Sequence, residues 1–287
     1  MTLSAEVPAN ARNLRTIDFR PVHEKGALGG TARWWNENIW GYMSELLFDA
    51  DHWYWKALED FVAYRDMDKF LRSGKAFSAY ADSMILHASD DNDESATRAK
   101  LVESLRDSLT GSLDHFASLT IVAMCSTFEV AAKEFYENVF FRHPKRMHEY
   151  LGKEKQLGVV QLSDVVEAGD YHRLLHRLAQ RAAANATKGK YGDILARAFK
   201  IAGSPNDRDL TDRLNGVQME RNRVVHEKEV LQRDVKALDA THSILADAIG
   251  SLAQLALNLD VPGSYTCVSP VGTFVVNEIA GLLPGVS

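Results

Sequence analysis

A long helical segment in the middle of the chain constrains the fold more than any other feature. It begins near Ser95, after the acidic run Ser89–Glu94, and continues to Pro144, which cannot extend a helix. The middle of the segment is apolar nearly all round, and this pattern is typical of a helix buried on most sides. The sequence therefore predicts an all-α helical bundle with this segment as its central helix.

Shorter segments with helical periodicity lie on both sides of the central one. They are Lys75–His87, Val160–Ala186, Tyr191–Ala202, Asp207–Val225 and Arg233–Leu259. Glycine, proline and charged residues separate the last four, and Asn206 or Asp207 is a natural N-cap for the helix that follows Gly203.

The composition divides the chain into three regions. Residues 1–94 hold all five tryptophans, from Trp34 to Trp55, and are predicted to form an aromatic-rich, mainly helical extension with a short strand at Thr16–Val22. The aromatic residues form either a core or a surface that stacks nucleic-acid bases or binds a partner. Residues 95–260 are predicted to form the helical domain, and residues 261–287 a short C-terminal tail or hairpin.

Several features indicate a soluble cytoplasmic protein. No run of about 18 apolar residues occurs, so no membrane span is expected, and the first residues lack the apolar core of a signal peptide. The two cysteines, Cys125 and Cys267, do not form a disulfide framework, and Cys125 lies in an apolar run typical of a buried thiol. We therefore expect a reducing compartment.

The charge is unevenly distributed, which matters for any nucleic-acid partner. The whole chain has a net charge of −6, but residues 171–200 contain seven Lys and Arg side chains against one acidic residue. Five of these basic residues are candidate RNA-binding contacts: Arg173, Arg177, Arg181, Lys188 and Lys190. They form either a track for a phosphate backbone or a solvated face balanced by acids elsewhere. The shorter basic cluster Arg142–Arg146 has the same two interpretations.

No motif for a metal or cofactor is present. The chain lacks a phosphate-binding P-loop, a dinucleotide-binding glycine motif, a zinc-protease motif and a serine nucleophile elbow. His172 and His176 have a spacing that a metal could use, but no third ligand follows them at a supporting distance in sequence. We therefore predict neither metal nor cofactor.

The residues with the clearest chemical potential form the hexapeptide Arg221-Asn222-Arg223-Val224-Val225-His226, near the end of a predicted helix. Arginine offers a permanently charged fork for phosphate oxygens, and asparagine can orient a phosphate or an imidazole. Histidine can take and return a proton near neutral pH. Together they suit cleavage of RNA by its own 2′-hydroxyl, which needs no metal.

This hexapeptide resembles the R-N-x-x-x-H form of the R-x(4–6)-H motif of the HEPN superfamily. The short polar loop and long helix after the motif are also similar, as is the upstream apolar helix with its embedded Ser126–Glu129. The resemblance covers about residues 95–259 and implies a HEPN-type bundle that forms a homodimer. It implies catalytic roles for Arg221 and His226 and a supporting role for Asn222. Arg223, three residues before His226 and so its neighbour on a helix, is a further candidate contact with RNA.

Two functions follow from the resemblance. The first is a metal-independent endoribonuclease, as a toxin or defence effector restrained by an antitoxin or regulatory partner. The alternative is a non-catalytic HEPN module for dimerisation and for binding a partner or nucleotide. Some toxins of the family carry a tyrosine two positions after the histidine, whereas this chain has Lys228, so control by modification of such a tyrosine is not expected.

Overall fold

Helices dominate the part of the chain that the structure describes, and this confirms the predicted all-α class. The computed structural model describes residues 47–84, 94–151, 160 and 162–267, all within one compact unit. Its elements are β1 (Phe48–Asp49), α1 (Ala50–Arg72), α2 (Gly74–Met84), α3 (Glu94–Arg142), a 3₁₀ turn (Pro144–Met147), α4 (His148–Leu151), α5 (Leu162–Ala168), α6 (Tyr171–Ala186), α7 (Tyr191–Ala202), α8 (Arg208–His226), α9 (Val235–Asn258) and β2 (Gly263–Ser264). The predicted strand at residues 16–22, three of the tryptophans and residues 268–287 lie outside the described residues.

The central helix is α3, as the sequence predicts. Its apolar half carries fully buried side chains on the face that meets the other helices, including Ile121, Phe128 and Phe135, whereas Leu119 and Val130 on the other side are exposed. It packs against α1, α6, α8 and α9. By length and composition alone, residues 98–142 could cross a membrane, but half of the most apolar window is buried inside the bundle, and a core helix passes the same test.

The first described helices belong to the same core as the rest of the bundle. Phe61 and Tyr64 of α1 and Phe77 of α2 are buried in one apolar cluster with residues of α3 and α9. The Tyr64 hydroxyl also donates a hydrogen bond to the carbonyl of Arg233, 3.1 Å away, just before α9 begins. The predicted boundary at residue 94 therefore falls within one core.

The two ends of the described chain are joined beside the N-terminus of α1. Phe48 and Asp49 pair in parallel with Gly263 and Ser264. The Asp51 carboxylate accepts a hydrogen bond from the Ser264 hydroxyl. It also accepts hydrogen bonds from the backbone N–H groups of Thr266 and Cys267, at 2.9 and 2.7 Å. Burial alone would raise the pKa of Asp51, but these hydrogen bonds together hold it below its ordinary value.

One predicted helix, Val160–Ala186, is wrong, because the chain forms two helices in this region. The helix α5 ends at Ala168, and Gly169 follows with a φ of 74°, a left-handed conformation that favours glycine. Asp170 then caps α6, its carboxylate accepting the Arg173 N–H at 2.9 Å. A glycine followed by an aspartate is the signal for this break.

His242 on α9 makes the bundle sensitive to acid. Its ring stacks on Phe61 with centroids 5.4 Å apart, and its Nε2 is buried without a hydrogen bond to any described residue. Burial lowers the pKa of His242 below its ordinary value of 6.5, and nearby Asp239 opposes this. Between the folded-state pKa and pH 6.5, His242 is therefore protonated in the unfolded chain but mostly neutral in the folded chain. The free energy of unfolding should be greatest above pH 6.5 and fall as the pH drops towards the folded-state pKa.

The measurement is urea unfolding at about pH 7.5 and about pH 5.5. The variant His242→Phe keeps an aromatic ring on Phe61 but cannot be protonated, so it should lose part of the acid sensitivity. The variant His115→Gln, at an exposed position on α3, should retain all of it. Equal sensitivity in the wild type and in His242→Phe would contradict the assignment.

Candidate functional site

The motif lies in the last two turns of α8. Asp207 caps the start of this helix by accepting the Leu210 N–H at 3.0 Å. The helix ends at His226, and Lys228 follows with a φ of 54°. This turn lets the Glu229 N–H reach the Arg223 carbonyl at 3.2 Å, and the Leu231 N–H then donates to the Ser118 hydroxyl of α3 at 2.9 Å. The loop after the motif is therefore fixed to the central helix.

The side chain of Arg221 points towards the inside of the bundle. It lies on the same face of α8 as the buried Leu214 and Val217, because intervals of seven and four residues return to the same side of a helix. Its Nη1 donates to Asn222 Oδ1 at 3.2 Å, and its Nη2 lies 3.6 Å from Glu129 Oε1. The Nε is buried and has no partner among the described residues, although 22% of the side chain is exposed. The guanidinium therefore has unused donors and a path to solvent.

Glu129 connects Arg221 to the aromatic core. Its Oε1 accepts a hydrogen bond of 2.5 Å from the Tyr191 hydroxyl, and the Tyr191 ring packs on Phe128 with centroids 5.2 Å apart. Burial, with the neighbouring Cys125 and Glu129, raises the pKa of Tyr191, so the hydroxyl stays protonated and donates. Burial, with Glu129 nearby, also raises the pKa of Cys125 to about 12, so this thiol is a packing group and not a nucleophile.

His226 faces away from the core, whereas Asn222 is half-buried. His226 is exposed, and its ring makes no hydrogen bond to any described residue. It lies about 140° around the helix from Arg221 and close to the line of Met219, which is 68% exposed. Within one chain, Arg221 and His226 therefore lie on different faces of α8.

Arg223 forms a two-pronged ion pair with Glu229 across the turn that ends α8. Its Nε lies 2.6 Å from Glu229 Oε2, and its Nη2 contacts Oε1. The hydrogen bond to Glu229 raises the pKa of Arg223. The predicted contact of Arg223 with RNA would require this exposed pair to open or to be shared.

The predicted basic stripe on α6 is balanced by acids. Each of its three arginines pairs with a carboxylate from α5 or from the turn before α6. The pairs are Arg173 with Asp170 at 3.3 Å, Arg177 with Glu167 at 3.1 Å and Arg181 with Asp164 at 3.4 Å. This pairing favours the solvated-face interpretation of the stripe.

Lys188 and Lys190 lie in the turn between α6 and α7 and are exposed. Neither makes an ion pair with a described residue. Their charges remain available to an anionic ligand, so the RNA contact predicted for them is compatible with their surroundings. His172 and His176 have only ring contacts and a long contact to Gln180, and no group of three potential metal ligands occurs among the described residues.

The docking of α7 on α8 places Tyr191, a residue that was not among the predicted site residues. Asn215 and Gln218 of α8 accept the first two N–H groups of α7, those of Gly192 and Tyr191, at 2.8 and 2.9 Å. A Cβ on Gly192 would lie 2.4 Å from the carbonyl oxygen of Thr211, so only glycine permits this approach. Glu129 and Tyr191 are separated by 62 residues, and no local pattern could have joined them.

Comparison with protein-family models, with curated proteins and with solved structures finds no match to this chain. The HEPN resemblance therefore depends on the hexapeptide and its helical context alone.

Proposed function

We propose that this chain is a metal-independent endoribonuclease of HEPN type that acts as a homodimer. The observation that carries the proposal is the state of Arg221. A guanidinium has five N–H donors, and among the described residues this one makes a single hydrogen bond, of 3.2 Å, to its neighbour Asn222. A phosphate with two free oxygens is a natural ligand for the remaining donors.

The reaction needs only groups of the protein and of the RNA. A proton leaves the 2′-hydroxyl, its oxygen attacks the adjacent phosphorus, and the bond to the 5′-oxygen breaks as that oxygen gains a proton. His226 supplies the proton transfer, and Arg221 stabilises the charge on the phosphate oxygens in the transition state. The products are a 2′,3′-cyclic phosphate and a 5′-hydroxyl.

The separation of Arg221 from His226 around α8 supports a dimer. Because Arg221 and His226 occupy different faces of α8, a common site is reached most simply if two motifs face each other across an interface. Exposed apolar side chains beside the motif, Met219, Val225 and Val230, suit such a contact. The HEPN resemblance implies the same arrangement.

A non-catalytic docking module is the second candidate. It is favoured by Glu129, which partly neutralises Arg221, and by the opposite faces of the two motif residues. In that case Arg221 is a structural cation, and the exposed face of α8 binds a protein or nucleotide.

The experiment that tests the proposal is incubation of the protein with a labelled single-stranded RNA in EDTA. The expected result is cleavage to a 2′,3′-cyclic phosphate, no cleavage of DNA of the same sequence, and a dimer by light scattering. Intact RNAs of several sequences, left uncut by a folded dimer, would favour the docking module.

We further infer a role as a toxin or defence effector, held in check in the cytoplasm by an antitoxin or another regulatory partner. Expression of the wild-type protein should then arrest the growth of the cells that express it, while expression of the His226→Ala variant should not. Equal growth with both proteins at equal abundance would contradict this role.

A further inference from the structure

Tyr191 is held in place more firmly than packing alone requires. Its side chain is almost fully buried, its ring lies against Phe128, and its backbone N–H donates to Gln218 Oε1 at 2.9 Å. Gly192, the next residue, is fixed to Asn215 of α8. Both the backbone and the ring of Tyr191 are therefore fixed relative to α3 and α8.

The Tyr191 hydroxyl in turn fixes the carboxylate of Glu129. The hydrogen bond of 2.5 Å goes to Oε1, and the same oxygen lies 3.6 Å from Nη2 of Arg221. Glu129 is partly exposed, so without the hydroxyl its carboxylate could rotate towards solvent.

Arg221 has no other described polar contact from outside its own helix. Its one hydrogen bond is to Asn222, the adjacent residue, which moves with the same helix. Among the described residues, Glu129 is therefore the one polar group outside α8 that directs the guanidinium. Glu129 in turn depends on Tyr191.

We propose that Tyr191 is a positioning residue for Arg221 and acts through Glu129. The inference deepens the proposed function and rests on it, because Arg221 is the group that binds the phosphate there. Tyr191 touches neither the phosphate nor the reacting oxygens. Its hydroxyl sets the angle at which the guanidinium meets the phosphate as charge develops.

The first arm of the test measures RNA cleavage. Tyr191→Phe keeps the ring on Phe128 and removes only the hydroxyl, so kcat should fall about ten- to a hundredfold with KM little changed, since a small misplacement weakens transition-state stabilisation more than binding. Because the two residues act in series, the double variant Tyr191→Phe with Glu129→Ala should be no slower than Glu129→Ala alone. Effects that multiply would overturn the proposal.

Tyr136→Phe is the matched control. The Tyr136 hydroxyl is also buried and donates a bond of 2.6 Å to α7, to the carbonyl of Ile194, but it has no link to Glu129 or Arg221. Tyr136→Phe should lower the unfolding midpoint by about as much as Tyr191→Phe and leave kcat at the wild-type value. A parallel loss of kcat in both variants would mean that Tyr191 has only a structural role, which overturns the proposal.

The second arm does not depend on ribonuclease activity. The side-chain Nε–H of Arg221 is buried, so its hydrogen exchange with water, followed by nitrogen-15 NMR, reports how firmly the guanidinium is held. Tyr191→Phe should accelerate this exchange, and Tyr136→Phe should not. If the wild type cuts no RNA, the proposed function fails while this arm still decides the positioning role; unchanged exchange in Tyr191→Phe overturns that role even if RNA is cut.

Discussion

Replacing His226 with alanine should reduce the rate of RNA cleavage by about 100- to 10,000-fold, because a group that moves a proton in the transition state contributes about that much. Arg221→Ala should reduce it by roughly 100- to 1,000-fold, the usual loss when a donor to a developing oxyanion is removed. Arg221→Lys keeps the charge but loses the planar fork, so most of the defect should remain. The measurement is single-turnover cleavage of a labelled RNA in EDTA.

Two control variants separate this prediction from general damage to the protein. Arg213→Ala removes an exposed arginine from the same helix, where it pairs with Asp209 at 2.9 Å. His115→Ala removes an exposed histidine of α3. Both controls should cleave at the wild-type rate, and all five variants should unfold at similar temperatures. Wild-type cleavage by His226→Ala would remove His226 from the mechanism.

The elements of the bundle were largely predictable because their signals are local. The helix predicted at Tyr191–Ala202 has those bounds in the structure, and the one predicted at Asp207–Val225 spans Arg208–His226 with Asp207 as its cap. Glycine, proline and N-cap residues act within a few positions of the helix ends that they define. The break at Gly169 follows the same rule, although the apolar periodicity on both sides of it predicted continuity.

The site was predictable only in part. The hexapeptide indicated the end of a helix, where the structure has it, and helix geometry alone separates Arg221 from His226 by about 140°. Which of the two points into the bundle depends on which face of α8 meets α3. Leu214 and Val217 determine that face, and they carry Arg221 inward with them. The contact of Arg221 with Glu129 and that of Glu129 with Tyr191 join positions 92 and 62 residues apart, for which a single sequence contains no signal.

The sequence predicts an unbalanced basic stripe on α6 only if the residues before the helix are left out. The stripe of arginines is evident in the sequence, but its balancing acids precede the helix. They become its neighbours only because the chain turns at Gly169 and places α5 alongside α6. A charge count over residues 171–200 leaves out these acids, which lie at residues 164–170.

Adding a single methyl group at Gly192 should lower the free energy of unfolding more than adding one at any other position that we consider. In Gly192→Ala the new Cβ would lie 2.4 Å from the backbone oxygen of Thr211 and 2.6 Å from Nδ2 of Asn215. Since a backbone oxygen cannot rotate away, α7 must separate from α8 and lose the Gly192 N–H bond to Asn215. Overpacking of this kind costs about 1–3 kcal/mol and the lost hydrogen bond about another 1 kcal/mol.

Gly216→Ala, in the same pair of helices, should raise the free energy of unfolding, whereas Gly192→Ala lowers it. Gly216 lies in the middle of α8, and its Cβ would meet nothing within 4 Å. Alanine there should raise the free energy of unfolding by about 0.5–1 kcal/mol, because glycine loses more backbone entropy in a helix. Urea unfolding of the two variants measures both effects, and a stabilised Gly192→Ala would contradict the close approach of α7 and α8.

Gly192→Ala also tests whether the contact between α7 and α8 matters for the candidate site. Moving α7 away from α8 also moves Tyr191, which precedes Gly192 and fixes Glu129. Gly192→Ala should therefore lose cleavage activity even at a temperature where it is fully folded, whereas Gly216→Ala should keep it. Full activity in folded Gly192→Ala would show that the contact between these helices serves stability alone.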